Sequence, residues 1–139
     1  MNKKSSRSST RGKSSPAPTL ANPILTESEK LEQAQALIYH AWDATTARQA
    51  ATLARQALEL SPDCADAYTV LANVEARSAE DACLLYQQGV DAGRRHLGEG
   101  FFDRQMGHFW GLIETRPYMR ARQGLADCLW ALRRKDDSI

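Results

Sequence analysis

The sequence predicts an all-α protein: a right-handed array of antiparallel helical hairpins with about five helices. Three observations carry this. First, Ala50, Ala54 and Ala57 are followed by Pro62, and Ala82, Tyr86 and Gly89 repeat the same offsets of four and three. Small residues at that spacing let one helix lie close against the next, and a proline just past a helix ends it. Second, apolar residues recur at helical rather than strand spacing through most of the chain. Third, 42% of the 139 residues are hydrophobic but only 7% are aromatic, which suits alanine-packed helices better than a β-sandwich.

Residues 1–23 carry no apolar period and are rich in Ser, Lys, Arg, Thr and Pro, so they read as a disordered basic tail. The helical domain is expected over 24–134. Thr26 followed by Glu29 is a capping box, and the first helix runs on to about Asp43 with Leu31, Ala34, Leu37, Ile38 and Ala41 on one face. Thr45 and Thr46 mark a turn. The second helix spans about Ala47 to Leu60, and Ser61-Pro62-Asp63 ends it and caps the next. The third covers about Cys64 to Ala76, burying Ala67, Leu71 and Ala72 beside Tyr68. Ser78 caps the fourth, about Ala79 to Leu97, whose inner face is Ala82, Cys83, Leu85, Tyr86, Gly89 and Val90. Arg94, Arg95 and His96 complement the dipole of its last turn, and Gly98 is its C-terminal cap.

Residues 98–115 break the rhythm. Phe101, Phe102, Phe109 and Trp110 stand among four glycines, an insertion expected to pack back on the fourth and fifth helices. The last helix starts near Thr115, holds Pro117 in its first turn where the missing N–H costs nothing, and is expected to end near Arg134. Residues 135–139 form a charged stub.

The net charge of +1 hides an asymmetry. The first 26 residues hold five cations and no acid, leaving 13 cations against 17 acids, a net −4, in the remainder. The folded part therefore offers no general basic face for nucleic acid. No apolar run reaches the length of a membrane span, and the N-terminal stretch lacks the apolar core of a signal peptide. A cytoplasmic protein with no membrane partner is the expectation. Cys64, Cys83 and Cys128 are far apart in sequence with no CxxC, and read as small buried hydrophobes. Gly98-Glu99-Gly100 is neither a P-loop nor a dinucleotide fingerprint, and no G-x-S-x-G elbow occurs. His40, His96 and His108 lack metal-ligand spacing. No catalytic residue, metal or cofactor is expected.

The paired small-residue spacing over residues 31–97 resembles the tetratricopeptide repeat, a helix–turn–helix unit of about 34 residues. On that resemblance repeat one spans 27–62, repeat two 63–97, and 116–134 supplies the first helix of a third. A second resemblance is narrower. The run His108-Phe109-Trp110-Gly111, then Glu114-Thr115-Arg116-Pro117-Tyr118-Met119-Arg120-Ala121-Arg122, is similar to bacterial tetratricopeptide-repeat proteins grouped with the suppressor-of-tumorigenicity-7 family. Arg133 and Arg134 then depart from that pattern, where a glycine and a second helix usually follow.

The resemblance implies a noncatalytic module that binds a protein or peptide partner in a groove lined by the first helix of each repeat. It places Glu32, Gln35, Tyr39, Trp42 and Asp43 there from repeat one. Repeat two contributes Asp66, Thr69, Asn73 and Arg77. The last helix contributes Arg120, Gln123, Asp127 and Trp130. Only Asn73 and Arg120 suit a clamp for a peptide's terminal carboxylate. Leu125, Cys128, Leu129 and Leu132 form an apolar face with no following helix, a predicted association site that either the aromatic insertion covers or a second chain pairs with as a homodimer. Two alternatives stand beside the interaction module: an enzymatic or metal-dependent site near His108 and the aromatic insertion, and nucleic-acid contact by the basic tail.

Overall fold

The computed structural model describes residues 24–98, 101 and 113–137. Among these the chain is all-helical, with five α-helices and no strand. They are α1 (Glu27–Trp42), α2 (Ala47–Leu60), α3 (Ala65–Glu75), α4 (Ala79–Leu97) and α5 (Arg116–Asp137), the last preceded by a 3₁₀ turn at Ile113–Thr115. The basic tail lies outside the described residues, as do residues 99–100 and 102–112 of the aromatic insertion.

Local chemistry fixes most of the helix starts. At α1 the capping box is complete: Glu29 N–H donates to Thr26 Oγ1 at 3.0 Å, and Thr26 N–H donates to Glu29 Oε1 at 2.9 Å. Thr46 caps α2 and Ser78 caps α4, each accepting a backbone N–H at 3.1 Å. Each such cap stabilises its helix by about 1 kcal/mol. The start of α3 corrects the sequence reading. Its N-cap is Cys64, whose side chain makes no capping hydrogen bond. The Asp63 carboxylate is instead engaged by Arg95, whose Nε donates to Oδ1 at 2.9 Å. A long-range ion pair has taken the group that a local cap would use. Gly98 adopts φ 81° and closes α4 by donating its N–H to Arg94 O at 2.9 Å. At the other end of the chain, α5 continues to Asp137, so the expected stub begins as helix.

Short turns join α1 to α2, α2 to α3 and α3 to α4. Each helix packs on the next, and α3 also touches both α1 and α5. The main core lies between α1, α2 and α3. It is built almost wholly from alanine (Ala34, Ala41, Ala50, Ala51, Ala54, Ala57 and Ala67) around Ile38, with Cys64, Val70 and Leu71. Ile38 is fully buried. A smaller cluster of Val90, Tyr118 and Ala121 joins α4 to α5, with Leu97, Met119 and Leu125 packed against it.

The spacing of small residues has a visible cause at Gly89. A Cβ there would stand 3.0 Å from Ala121 Cβ and 3.2 Å from Ala65 O, so α3, α4 and α5 converge on the missing side chain. The burial pattern of α4 shifts from the expected one: Gly89, Val90, Ala92 and Gly93 are buried, whereas Ala82, Cys83, Leu85 and Tyr86 are half-buried. The C-terminal half of α4 receives α5.

The expectation of one bare apolar face on α5 is corrected by the same contact. Leu125 packs on the Val90–Tyr118–Ala121 cluster. Cys128 is half-buried and lies near Cys83 of α4. Leu132 is half-buried, and Leu129 alone of the four stands out, at 53% exposure. The preceding helix covers much of the face that was expected to lie bare.

Candidate functional site

The side chains that organise the groove come from the odd-numbered helices, and they meet at Asp66. This residue sits in the first turn of α3, where the helix dipole favours a negative charge. It is 0% exposed. Arg120 of α5 grips it with two parallel bonds, Nε to Oδ1 at 2.9 Å and Nη2 to Oδ2 at 2.7 Å. Gln35 of α1 donates from Nε2 to Oδ2 at 2.9 Å. Three helices widely separated in sequence are thus pinned to one carboxylate, in a bidentate geometry that is the strong form of such a pair. Hydrogen bonding to Asp66 holds the Arg120 guanidinium above its ordinary pKa, against the opposing effect of burial.

The node continues into aromatic side chains. Arg120 Cζ lies 5.1 Å from the ring centroid of Trp42, a cation–π distance. Tyr39 lies against Trp42 with ring centroids 5.3 Å apart and planes tilted by 55°. Both rings keep an open face: Tyr39 is 53% and Trp42 47% exposed. On the far side of Gln35, the Cys64 thiol points at Oε1 at 4.0 Å. Burial pushes that thiol up to about 12, so it stays protonated at neutral pH.

Above this node lies a groove of about 520 Å³. One wall is α1, presenting Leu31, Glu32, Gln35, Tyr39 and Trp42. The other is the C-terminus of α4 with the start of α5, presenting His96, Leu97, Glu114, Arg116 and Pro117. Arg95 braces the second wall. It bonds Asp63 and also donates from Nη2 to Pro62 O at 3.1 Å, tying the end of α4 to the turn between α2 and α3.

Five of the groove residues expected from sequence line this cavity: Glu32, Gln35, Tyr39, Trp42 and Arg120. Asp66 is a correction. It was expected to face a partner, but its carboxylate is buried beneath the groove and committed to Arg120 and Gln35. The same bonds correct the carboxylate-clamp reading of Arg120, whose fork already holds an internal carboxylate. Asp43, Thr69, Asn73, Arg77, Gln123, Asp127 and Trp130 lie outside the cavity lining. Among these, Asn73 accepts a bond from the Tyr86 hydroxyl. Gln123 donates to Asp127 along α5 at 3.1 Å, and Trp130 is 59% exposed. The Thr69 hydroxyl is buried with no hydrogen-bond partner among the described residues.

Sequence reasoning missed the second wall. His96, Leu97, Glu114 and Arg116 sit at the end of α4, in the 3₁₀ turn and at the start of α5. A rule that reads only the middle of first helices passes over them. Residues 108–110, at which an enzymatic or metal site was considered, lie outside the described residues. Among the described residues no three metal-ligating side chains converge, and no helix is long and apolar enough to cross a membrane. Comparison with protein-family models, curated proteins and solved structures gives no match.

Proposed function

We propose that the protein is a noncatalytic interaction module of tetratricopeptide-like architecture that binds a peptide segment of a protein partner in the groove between α1 and the α4–α5 wall. The observation that carries this reading is the pre-ordered aromatic wall. Tyr39 and Trp42 are half-exposed, yet Trp42 is held from behind by Arg120, which Asp66 fixes in turn. Aromatic side chains immobilised before binding make good anchors, because less rotamer entropy is lost when a ligand arrives. The lining combines the apolar Leu31, Leu97 and Pro117 with the polar Glu32, Gln35, His96 and Arg116, a composition that suits a recognition cleft. The alternation of α1, α3 and α5 along one side is also what an array of helical hairpins produces.

The test is selection of displayed random peptides on the wild-type protein, followed by titration of the enriched peptides against Tyr39→Ser and Glu32→Lys. Neither residue belongs to the buried core, so both variants are expected to keep the wild-type circular dichroism spectrum. Enriched peptides are expected to lose roughly tenfold or more in affinity for Tyr39→Ser, the loss typical of an aromatic anchor. Peptides that bind both variants as tightly as wild type, or a selection that enriches nothing, would remove the groove from consideration.

A further inference from the structure

The antiparallel contact between α4 and α5 has a regular register. Gly93 faces Tyr118, where a Cβ would stand 2.8 Å from Tyr118 Cβ. About one turn on, Gly89 faces Ala121, and after a further turn Tyr86 covers Gly124, where a Cβ would fall 2.3 Å from the ring. The next step along both helices brings Cys83 opposite Cys128. The two thiols lie near enough for Cys83 to influence the ionisation of Cys128, and both residues are half-buried, neither sealed in the core nor fully open to solvent. Cys64 differs: it is 1% exposed and belongs to the other core.

We propose that Cys83 and Cys128 are a dithiol modification site, which a small-molecule disulfide of the glutathione class oxidises reversibly to an interhelical disulfide. Two exchange steps balance the reaction. One protein thiolate attacks the glutathione disulfide, forming a protein–glutathione mixed disulfide and releasing one glutathione. The facing thiolate then attacks the protein sulfur of that mixed disulfide and expels the second glutathione. One S–S bond is broken and one formed overall. The two protein thiols are oxidised, and their protons end on the two glutathione thiols.

Geometry favours the second step. A disulfide needs Cα atoms about 4.4–6.8 Å apart, and helices notched by Gly89, Gly93 and Gly124 approach closely. A thiol that faces the mixed disulfide across the helix contact resolves it faster than a second glutathione arriving from solution. Burial, the neighbouring Cys83 and Asp127 raise the Cys128 thiol above its ordinary pKa, which slows attack at neutral pH and makes mildly alkaline buffer the right condition. The closed bond clasps the outer half of α5 to α4.

The experiment treats the full chain with a large excess of oxidised over reduced glutathione at mildly alkaline pH, then quenches, alkylates and digests with trypsin. Cleavage after arginine places Cys64, Cys83 and Cys128 on three different peptides. The expected result is an intact mass lower by two hydrogen atoms, and a linked pair of peptides 78–94 and 123–133 that separates on adding dithiothreitol. Cys83→Ser and Cys128→Ser, each conservative in size, are expected to lose the linked pair entirely and to hold a glutathione adduct on the remaining cysteine. Persistent glutathione adducts on both cysteines of the wild-type protein would overturn the proposal. So would a linkage that includes Cys64, a linkage between two chains, or thiols left free under these conditions.

Discussion

The two packing regions of this molecule use small residues in opposite ways. Between α1, α2 and α3 the small residue is alanine. Several alanines from facing helices meet around Ile38, Val70 and Leu71, with partly buried leucines packed at the margin. Between α4 and α5 the small residue is most often glycine, and two of the glycines are notches for a tyrosine: Tyr118 sits at Gly93 and Tyr86 at Gly124. An alanine interface distributes dispersion over many weak contacts. A glycine–tyrosine interface concentrates it in a few shaped ones, at the price of about 1 kcal/mol of helix propensity per glycine. The Asp66 node joins the two, since Gln35 belongs to the first region and Arg120 to the second.

The sharpest way to break the first region is Ile38→Ala. Its side chain is fully buried among alanines that cannot expand to refill the space. The expected loss is about 4 kcal/mol of unfolding free energy, measured by urea denaturation, within the range for large-to-small substitutions in a core. A loss below about 1 kcal/mol, the level of an ordinary surface change, would mean that the α1–α3 core is not the stability-determining one.

Arg120→Met tests the link between the regions. It removes one partner of a buried carboxylate and leaves Gln35 as the remaining donor to Asp66. The expected cost is about 3 kcal/mol, the lower end for breaking a buried pair because the Arg120 side chain is itself 40% exposed. Hydrogen exchange would then be expected to quicken in α5 more than in α2, which takes no part in the node. Equal protection of both helices would deny Arg120 its role as the tie.

Paired alanine substitutions sharpen the second region. At Gly93 the new Cβ meets the Cβ and Cα of buried Tyr118, atoms that move only with the backbone of α5. Overpacking outweighs the gain in helix propensity, and Gly93→Ala is expected to lose about 1 kcal/mol. At Gly124 the new Cβ meets Cε1, Cδ1 and Cζ of the half-buried Tyr86 ring, atoms of a side chain that can turn without a shift of the α5 backbone. Gly124→Ala is expected to stay within about 0.5 kcal/mol of wild type, the two terms nearly cancelling. Thermal denaturation of the pair gives the difference directly. Equal costs would show that ring packing, not backbone approach, governs both notches.

The helix starts at Thr26, Thr46 and Ser78 were legible because a cap is a local arrangement: the side chain and the N–H it satisfies are three residues apart. The alanine face of α2 was legible for a related reason, since helical periodicity states which residues share a side. The first wall of the groove was legible by resemblance, through Glu32, Gln35, Tyr39 and Trp42. The second wall was not, because His96, Leu97 and Glu114 come together only when the end of α4 and the start of α5 are placed side by side.

Sequence by itself determined the helical content, most of the boundaries, the small-residue spacing and the asymmetry of charge, all of which depend on neighbours along the chain. Only the tertiary structure decided which partner each reactive group takes. Asp63 left a capping role for Arg95, and Asp66 left a groove-facing role for Arg120 and Gln35. Leu125 and Cys128 turned from an apparent association face onto α4. The physical reason is common to all of them. A charged or apolar side chain is satisfied by whatever lies nearest in space, and packing sets that distance, not separation along the chain.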